Sequence, residues 1–107
     1  MNKQGLLGRR LAVETVEVGD GETVQVRELT GAEGQELARL HNSGKQDAGI
    51  AWVTCKTLVN EDGSRMFEDR ELAQVAALPL KLLKAVSDKA IELSGMSDKS
   101  RDDAKKN

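Results

Sequence analysis

Large aromatic rings are nearly missing from this 107-residue chain: it has one Trp, one Phe and no Tyr, so aliphatic side chains must fill whatever core it builds. It has one cysteine, Cys55, and one histidine, His41. A lone thiol forms no internal disulfide, and one thiolate with one imidazole falls short of the four ligands of a structural zinc site. Long apolar runs are absent too. Stretches such as Ala76-Ala77-Leu78-Pro79-Leu80 fall far short of the ~20 residues that span a bilayer. The opening MNKQGLLGRR has charge but no apolar segment of useful length, so it does not read as a signal peptide. Neither charge is in large surplus: 16 basic residues stand against 18 acidic ones, for a net charge of −2. Nucleic-acid binders usually need a cationic surplus for their phosphate contacts, so that class is disfavoured. What remains is an apolar fraction of 38%, enough for one small core in a soluble, cytoplasmic domain.

The first ten residues hold two glycines and no periodic pattern, which reads as a flexible arm over 1–10. From Leu11 the chain alternates through Leu11, Val13, Val16 and Val18, with a slip near Thr15-Val16 that suggests a bulge. Gly19-Asp20-Gly21-Glu22 tolerates positive φ. The following run, Thr23 to Leu29, alternates cleanly and puts Val24 and Val26 on one face, with Glu28 as a further candidate. Two such runs around Asp-Gly predict a β-hairpin. Thr30-Gly31-Ala32-Glu33 fits a capping box, Thr30 accepting from the NH of Glu33 and Glu33 reaching back to the NH of Thr30. The helix it starts carries Leu37, Ala38, Leu40 and His41 and ends at Asn42-Ser43-Gly44.

Ser43 to Gly49 is polar and reads as a loop. Ile50 to Val59 supports two readings: its β-branched residues favour a strand, while Ala51, Cys55, Leu58 and Val59 share a helical face. Asn60 to Ser64 is a turn by composition, and Met66 and Phe67 are expected to re-enter the core behind it. Asp69 is suited to cap a helix over Arg70 to Leu78 with Leu72, Val75 and Ala76 on one face. Pro79 opens a last helix over 80–93, whose stripe of Leu82, Leu83, Val86, Ala90 and Leu93 has Leu80 and Ile91 at its flank and Gly95 as its stop. From Met96 on, the polar composition predicts a disordered tail over 96–107. The expected fold class is α+β and predominantly helical. An N-terminal β-hairpin precedes three to four helices in one domain over 11–95, with the tail after it.

No catalytic constellation emerges. Nothing in the sequence brings Cys55 and His41 together, and no third group is there to orient them. Cys55 reads as a packed thiol and His41 as a residue near helix-terminal carbonyls. Placing Gly63 at the invariant glycine of a calcium loop would make Leu58 the first ligand, which excludes that motif. The glycines form neither GxGxxG nor a Walker A loop. No catalytic, cofactor-binding or metal-binding residue is therefore expected. Leu80 and Ile91 widen the apolar face of the last helix, which makes them candidates for a protein-interaction surface.

The order of features carries more than any single motif. Val26-Arg27-Glu28-Leu29-Thr30-Gly31-Ala32-Glu33 follows a β-rich start. Leu58-Val59-Asn60-Glu61-Asp62-Gly63-Ser64-Arg65-Met66-Phe67 closes an apolar segment, and the last helix ends in Leu93-Ser94-Gly95-Met96-Ser97. Over about residues 11–97 this resembles the tail assembly chaperones of long-tailed bacteriophages of the lambdoid type. The resemblance implies a non-enzymatic escort of the tape-measure protein that recruits tail-tube subunits, self-associates, acts in the host cytoplasm and is absent from the mature virion. It implies no cofactor, no nucleic acid and no membrane. It also tips Ile50 to Val59 towards helix. The family often makes a longer product by a programmed −1 frameshift, and Lys105-Lys106-Asn107 is compatible with the slippery codons A-AAA-AAC. The alternatives are another morphogenesis adaptor, such as a tail-completion protein that stays in the virion, and a small DNA-binding regulator.

Overall fold

The computed structural model describes residues 2–44 and 46–96, the backbone alone over 46–48. The elements run α1 (Lys3–Leu7), β1 (Val13–Gly19), β2 (Glu22–Arg27), α2 (Gly31–Asn42), α3 (Gln46–Thr57), β3 (Leu58–Val59), a 3₁₀ turn (Asp69–Glu71), α4 (Leu72–Ala76) and α5 (Leu80–Leu93). The α+β class and the hairpin-then-helices order expected from the sequence are both present. The arm expected over 1–10 carries one short helix, capped by the Asn2 side chain, which accepts from the NH of Gly5 at 2.9 Å. The tail expected over 96–107 lies outside the described residues from position 97 onward.

β1 and β2 pair antiparallel, and β3 adds antiparallel to the other side of β2, giving the order β1-β2-β3. The tight turn is made by Gly19 (φ 123°), Asp20 (φ 53°) and Gly21 (φ 77°), a run of left-handed residues that glycine accepts most readily. The bulge lies between Glu17 and Gly19 and not at Thr15-Val16. Val13 simply faces outward, opposite Arg27, while Val16 opposite Val24 faces the helices. Glu28 lies just past the strand, where its carboxylate accepts from the NH of Ala12 at 3.0 Å.

α3 sits in the middle. Nothing between Ala51 and Val59 is exposed, because one side of α3 packs on the sheet and α5 and the other on α4. Val53 joins Val26, Leu29, Leu37, Leu58, Val86 and Ala90 in one cluster, and Ala51 and Cys55 join Val75 and Leu83 in another. Two of the β-branched residues that argue for a strand, Thr54 and Thr57, satisfy their hydroxyls on the carbonyls one turn back in the helix. Thr57 donates to the carbonyl of Val53 at 2.7 Å, and the Thr54 hydroxyl lies 2.9 Å from the carbonyl of Ile50 and 3.2 Å from that of Leu83 on α5. Both expectations for 50–59 therefore hold in part. The helix runs to Thr57 and turns without a linker into the two residues of β3.

Four local expectations are corrected. The loop expected up to Gly49 is shorter, since α3 already begins at Gln46. Met66 is 40% exposed and does not enter the core, whereas Phe67 packs against both clusters. Asp69 does not cap a helix; Glu68 holds that position, its NH donating to the Glu71 carboxylate at 2.8 Å. Asp69 instead pairs with Lys56 and Arg65, both at 2.9 Å, and these cations hold its carboxyl below the usual aspartate range. Ala76 is exposed, so Leu72 and Val75 alone carry the buried face of α4.

α5 matches its expected span and ends as expected at Gly95 (φ 74°). The NH of Met96 reaches the carbonyl of Ile91 at 3.0 Å and that of Gly95 reaches Glu92 at 3.1 Å, a Schellman ending. Ser94 adds a tie to the hairpin exit, accepting from the NH of Leu29 at 2.9 Å. Leu83 faces α3 and α4 from this helix and is nearly fully buried. Leu83→Ala should cost about 2–5 kcal/mol in a urea denaturation series, the range for a cavity left by a buried leucine.

Candidate functional site

The site begins with the way α2 is anchored. Arg27, at the end of β2, is buried and forks onto Glu33 in the first turn of α2, with nitrogen–oxygen distances of 2.8 and 2.9 Å. The same guanidinium donates to the carbonyl of Glu28 at 2.7 Å. Glu33 also accepts from the NH of Thr30 at 2.9 Å, while Thr30 accepts from the NH of Glu33 at 3.2 Å, so the capping box read from the sequence is present. One carboxylate thus serves as helix cap and as ion-pair partner. Burial alone pushes the Glu33 carboxyl up, but the Arg27 hydrogen bonds, the Thr30 NH and the Arg27 charge outweigh it. The carboxyl sits at about 2, against an ordinary 4.5.

Anchored in this way, α2 stands beside α3 and α5, and the three helices enclose a cleft of about 300 Å³. Leu37 on α2, Ile50 and Val53 on α3 and Ile91 on α5 give it an apolar lining. Gly49, itself buried, completes the lining beside Leu37, where a Cβ built on it would lie in ordinary contact 3.5 Å from the Leu37 Cδ1. His41, Lys84 and Asp88 stand exposed at its border.

Of the two residues expected to form an interaction surface, Ile91 lines this cleft and Leu80 does not. Leu80 is 62% exposed at the start of α5, and Ile91 is half-buried against the core while lining the cleft. They are eleven residues apart, about three turns, and so share one side of α5 roughly 16 Å apart along its axis. Both residues stand out in the sequence; the cleft that Ile91 lines does not, because its walls come from three separate helices.

His41 and Cys55 are not brought together. His41 borders the cleft, whereas Cys55 lies under the 3₁₀ turn, donating to the carbonyl of Glu68 at 3.4 Å. Burial pushes the Cys55 thiol up, away from the thiolate form a nucleophile needs. Among the described residues no group of three or more His, Cys, Asp or Glu side chains is placed to hold a metal ion, and no helix is long and apolar enough to cross a membrane. The arrangement can bury an apolar side chain from another molecule.

The lowered Glu33 pKa fixes the sign of an acid effect. Its contribution to stability is complete above about pH 4.5 and is lost as the pH falls towards about 2. Urea midpoints measured across that window should fall for the native chain. Arg27→Met leaves Glu33 without its cation, should cost about 3 kcal/mol at neutral pH, and should flatten the Glu33 part of the acid dependence.

No protein-family model matches the chain, and no curated protein matches it in sequence. Among solved structures, that of the bacteriophage HK97 tail assembly chaperone superposes with a TM-score of 0.64 at 18% sequence identity, over 89% of this chain and 95% of the other. At that identity the likeness concerns the fold, and it extends over nearly the whole of both chains.

Proposed function

We propose that this protein is a non-enzymatic tail assembly chaperone of a long-tailed, lambdoid-type phage, in its short, non-frameshifted form. In this reading it binds the tape-measure protein, keeps it soluble, helps recruit tail-tube subunits and self-associates. It works in the host cytoplasm and is absent from the finished virion. The observation that carries the reading is the fold shared with the HK97 tail assembly chaperone along almost its entire length.

The surface chemistry is consistent with that role. A tape-measure protein is a long helical ruler, and its amphipathic helices aggregate unless covered before the tube encloses them. A helix laid across α5 meets Leu80 first and Ile91 about three turns on, the spacing at which a helix-in-groove contact presents its anchors. Leu80 and Ile91 are the residues assigned here to client contact. Leu80 is the cleaner test, because its exposure makes a charge there harmless to the core.

Co-expression with the tape-measure protein of the same phage tests the reading. The expected result is a soluble complex that forms only when both chains are present. Leu80→Asp should lower the yield of co-purified client several-fold while leaving the thermal midpoint within a degree or two, since surface substitutions stay within about 0.5 kcal/mol. A client that stays insoluble, together with this chain in purified virions, would assign it instead to a retained adaptor such as a tail-completion protein.

A further inference from the structure

β1 is an outer strand of the sheet, and among the described residues its far side pairs with nothing. The Glu28 NH donates to the Ala12 carbonyl at 2.9 Å, which makes Ala12 and Glu28 a hydrogen-bonded pair. Bonded and non-bonded pairs alternate along an antiparallel ladder, so Glu14–Val26 and Val16–Val24 carry the next bonds to β2. Val13, Thr15 and Glu17 therefore turn their NH and C=O groups away from β2, and all three residues are exposed. No backbone bond from another described segment reaches them. Free edges are normally blunted by Lys, Pro, a bulge along the strand or short length. β1 has seven residues with no Lys or Pro, and its bulge comes only at the end, past Glu17. We propose that this edge is a docking site for an extended, basic segment of another protein, which adds to the sheet as a fourth strand beside β1.

Charge selects the occupant. From Leu11 to Val26 the chain carries Glu14, Glu17, Asp20 and Glu22 and no Lys or Arg. Lys89 meets Glu14 at 3.4 Å, while Glu17, Asp20 and Glu22 form no ion pair among the described residues. A second copy of the same strand would set carboxylates against carboxylates, an arrangement that destabilises a ladder. A strand bearing Lys or Arg meets these groups favourably, and its backbone supplies the partners that Val13, Thr15 and Glu17 lack.

The two faces of the edge call for alternation in the added strand. Val13, Thr15 and Glu17 share the outer face, whereas Val16 and Val18 pack toward the core. On the inner side a hollow of about 260 Å³ lies between Glu17, Val18 and Gly19 of the strand and Lys81 and Ala85 of α5, with no lining from β2. Val18 and Ala85 suit an apolar side chain there, and Lys81 disfavours a cation. The fitting segment therefore alternates, apolar residues toward α5 and basic residues beside Glu17. The proposal goes beyond the client contact on α5 and does not rest on it.

Fluorescence anisotropy on the full chain is the test, with a labelled peptide Lys-Val-Lys-Val-Lys-Val-Lys and its counterpart with Glu in place of Lys. The Lys peptide should bind and the Glu peptide should not. Amide hydrogen exchange read by NMR should slow at Val13, Thr15 and Glu17 when the Lys peptide is added. Thr15→Pro removes an outward NH that β2 does not use, a place where an edge strand tolerates proline. It should weaken peptide binding by roughly tenfold or more, the worth of at least one backbone hydrogen bond. Glu17→Lys leaves the backbone intact and should narrow or reverse the preference for the Lys peptide. If Thr15→Pro lowers the thermal midpoint, Glu17→Lys and the exchange data decide alone. Leu80→Asp should leave peptide binding unchanged, which keeps this edge separate from the client reading. Absence of binding, equal binding of the two peptides, or protection confined to other amides overturns the proposal. So does a Thr15→Pro chain that sediments more slowly than the native one while neither chain binds peptide, since the edge then belongs to a second copy.

Discussion

From Ala51 to Thr57 no residue of α3 is exposed, and the rest of the molecule is arranged around that constraint. A helical segment buried on every side is stable only when packed on every side. The sheet, α2 and α5 cover one half of it, and α4, the 3₁₀ turn and Phe67 cover the other. With one Trp and one Phe in the chain, this is achieved by valine, leucine and alanine, with Cys55 as one more small apolar group. The two clusters are therefore one core divided by a helix. The cleft is the place where the covering of α3 is incomplete, beside the glycine at position 49.

Polar groups in this structure act at the joints between elements. The Arg27–Glu33 pair fixes the angle between strand and helix, and a carboxylate already committed to capping α2 gives it a second fixed acceptor. The Thr54 hydroxyl ties α3 to α5, Ser94 ties α5 to the hairpin exit, and Asp69 holds the 3₁₀ turn to Lys56 on α3 and to Arg65. Removing one partner of such a pair costs most where water is excluded, as at Arg27, and little at exposed Asp69.

The parts of the fold that were legible in the sequence are those specified by neighbouring residues. The Asp-Gly turn, the Thr30–Glu33 box, the stripe of α5 and its stop at Gly95 each need only a few consecutive positions, and each is present. Residues 50–59 are ambiguous in sequence because burial on all sides removes the periodicity that distinguishes a helix, and because tertiary packing overrides the strand preference of their β-branched residues. Asp69 does not cap as its sequence position suggests because it is drawn to Arg65 four residues before it and to Lys56, which only the turn at Asn60 to Ser64 brings near. At the candidate site, Leu80 and Ile91 could be marked from the helical wheel of α5 alone. The cleft could not be read, since α2, α3 and α5 meet only in three dimensions.

The junction between Thr57 and Leu58, where helix becomes strand with no intervening loop, has a mechanical meaning. Leu58 pairs with Val26, Arg27 follows Val26 along β2, and Arg27 grips Glu33 at the start of α2, which stands across the cleft from α3. The two walls of the cleft are thus joined through the sheet by the β2–β3 pairing and the Arg27–Glu33 pair. Prying them apart along this path means breaking either a strand pairing or a buried ion pair, so a visitor to the cleft meets walls held in place by the sheet beneath them.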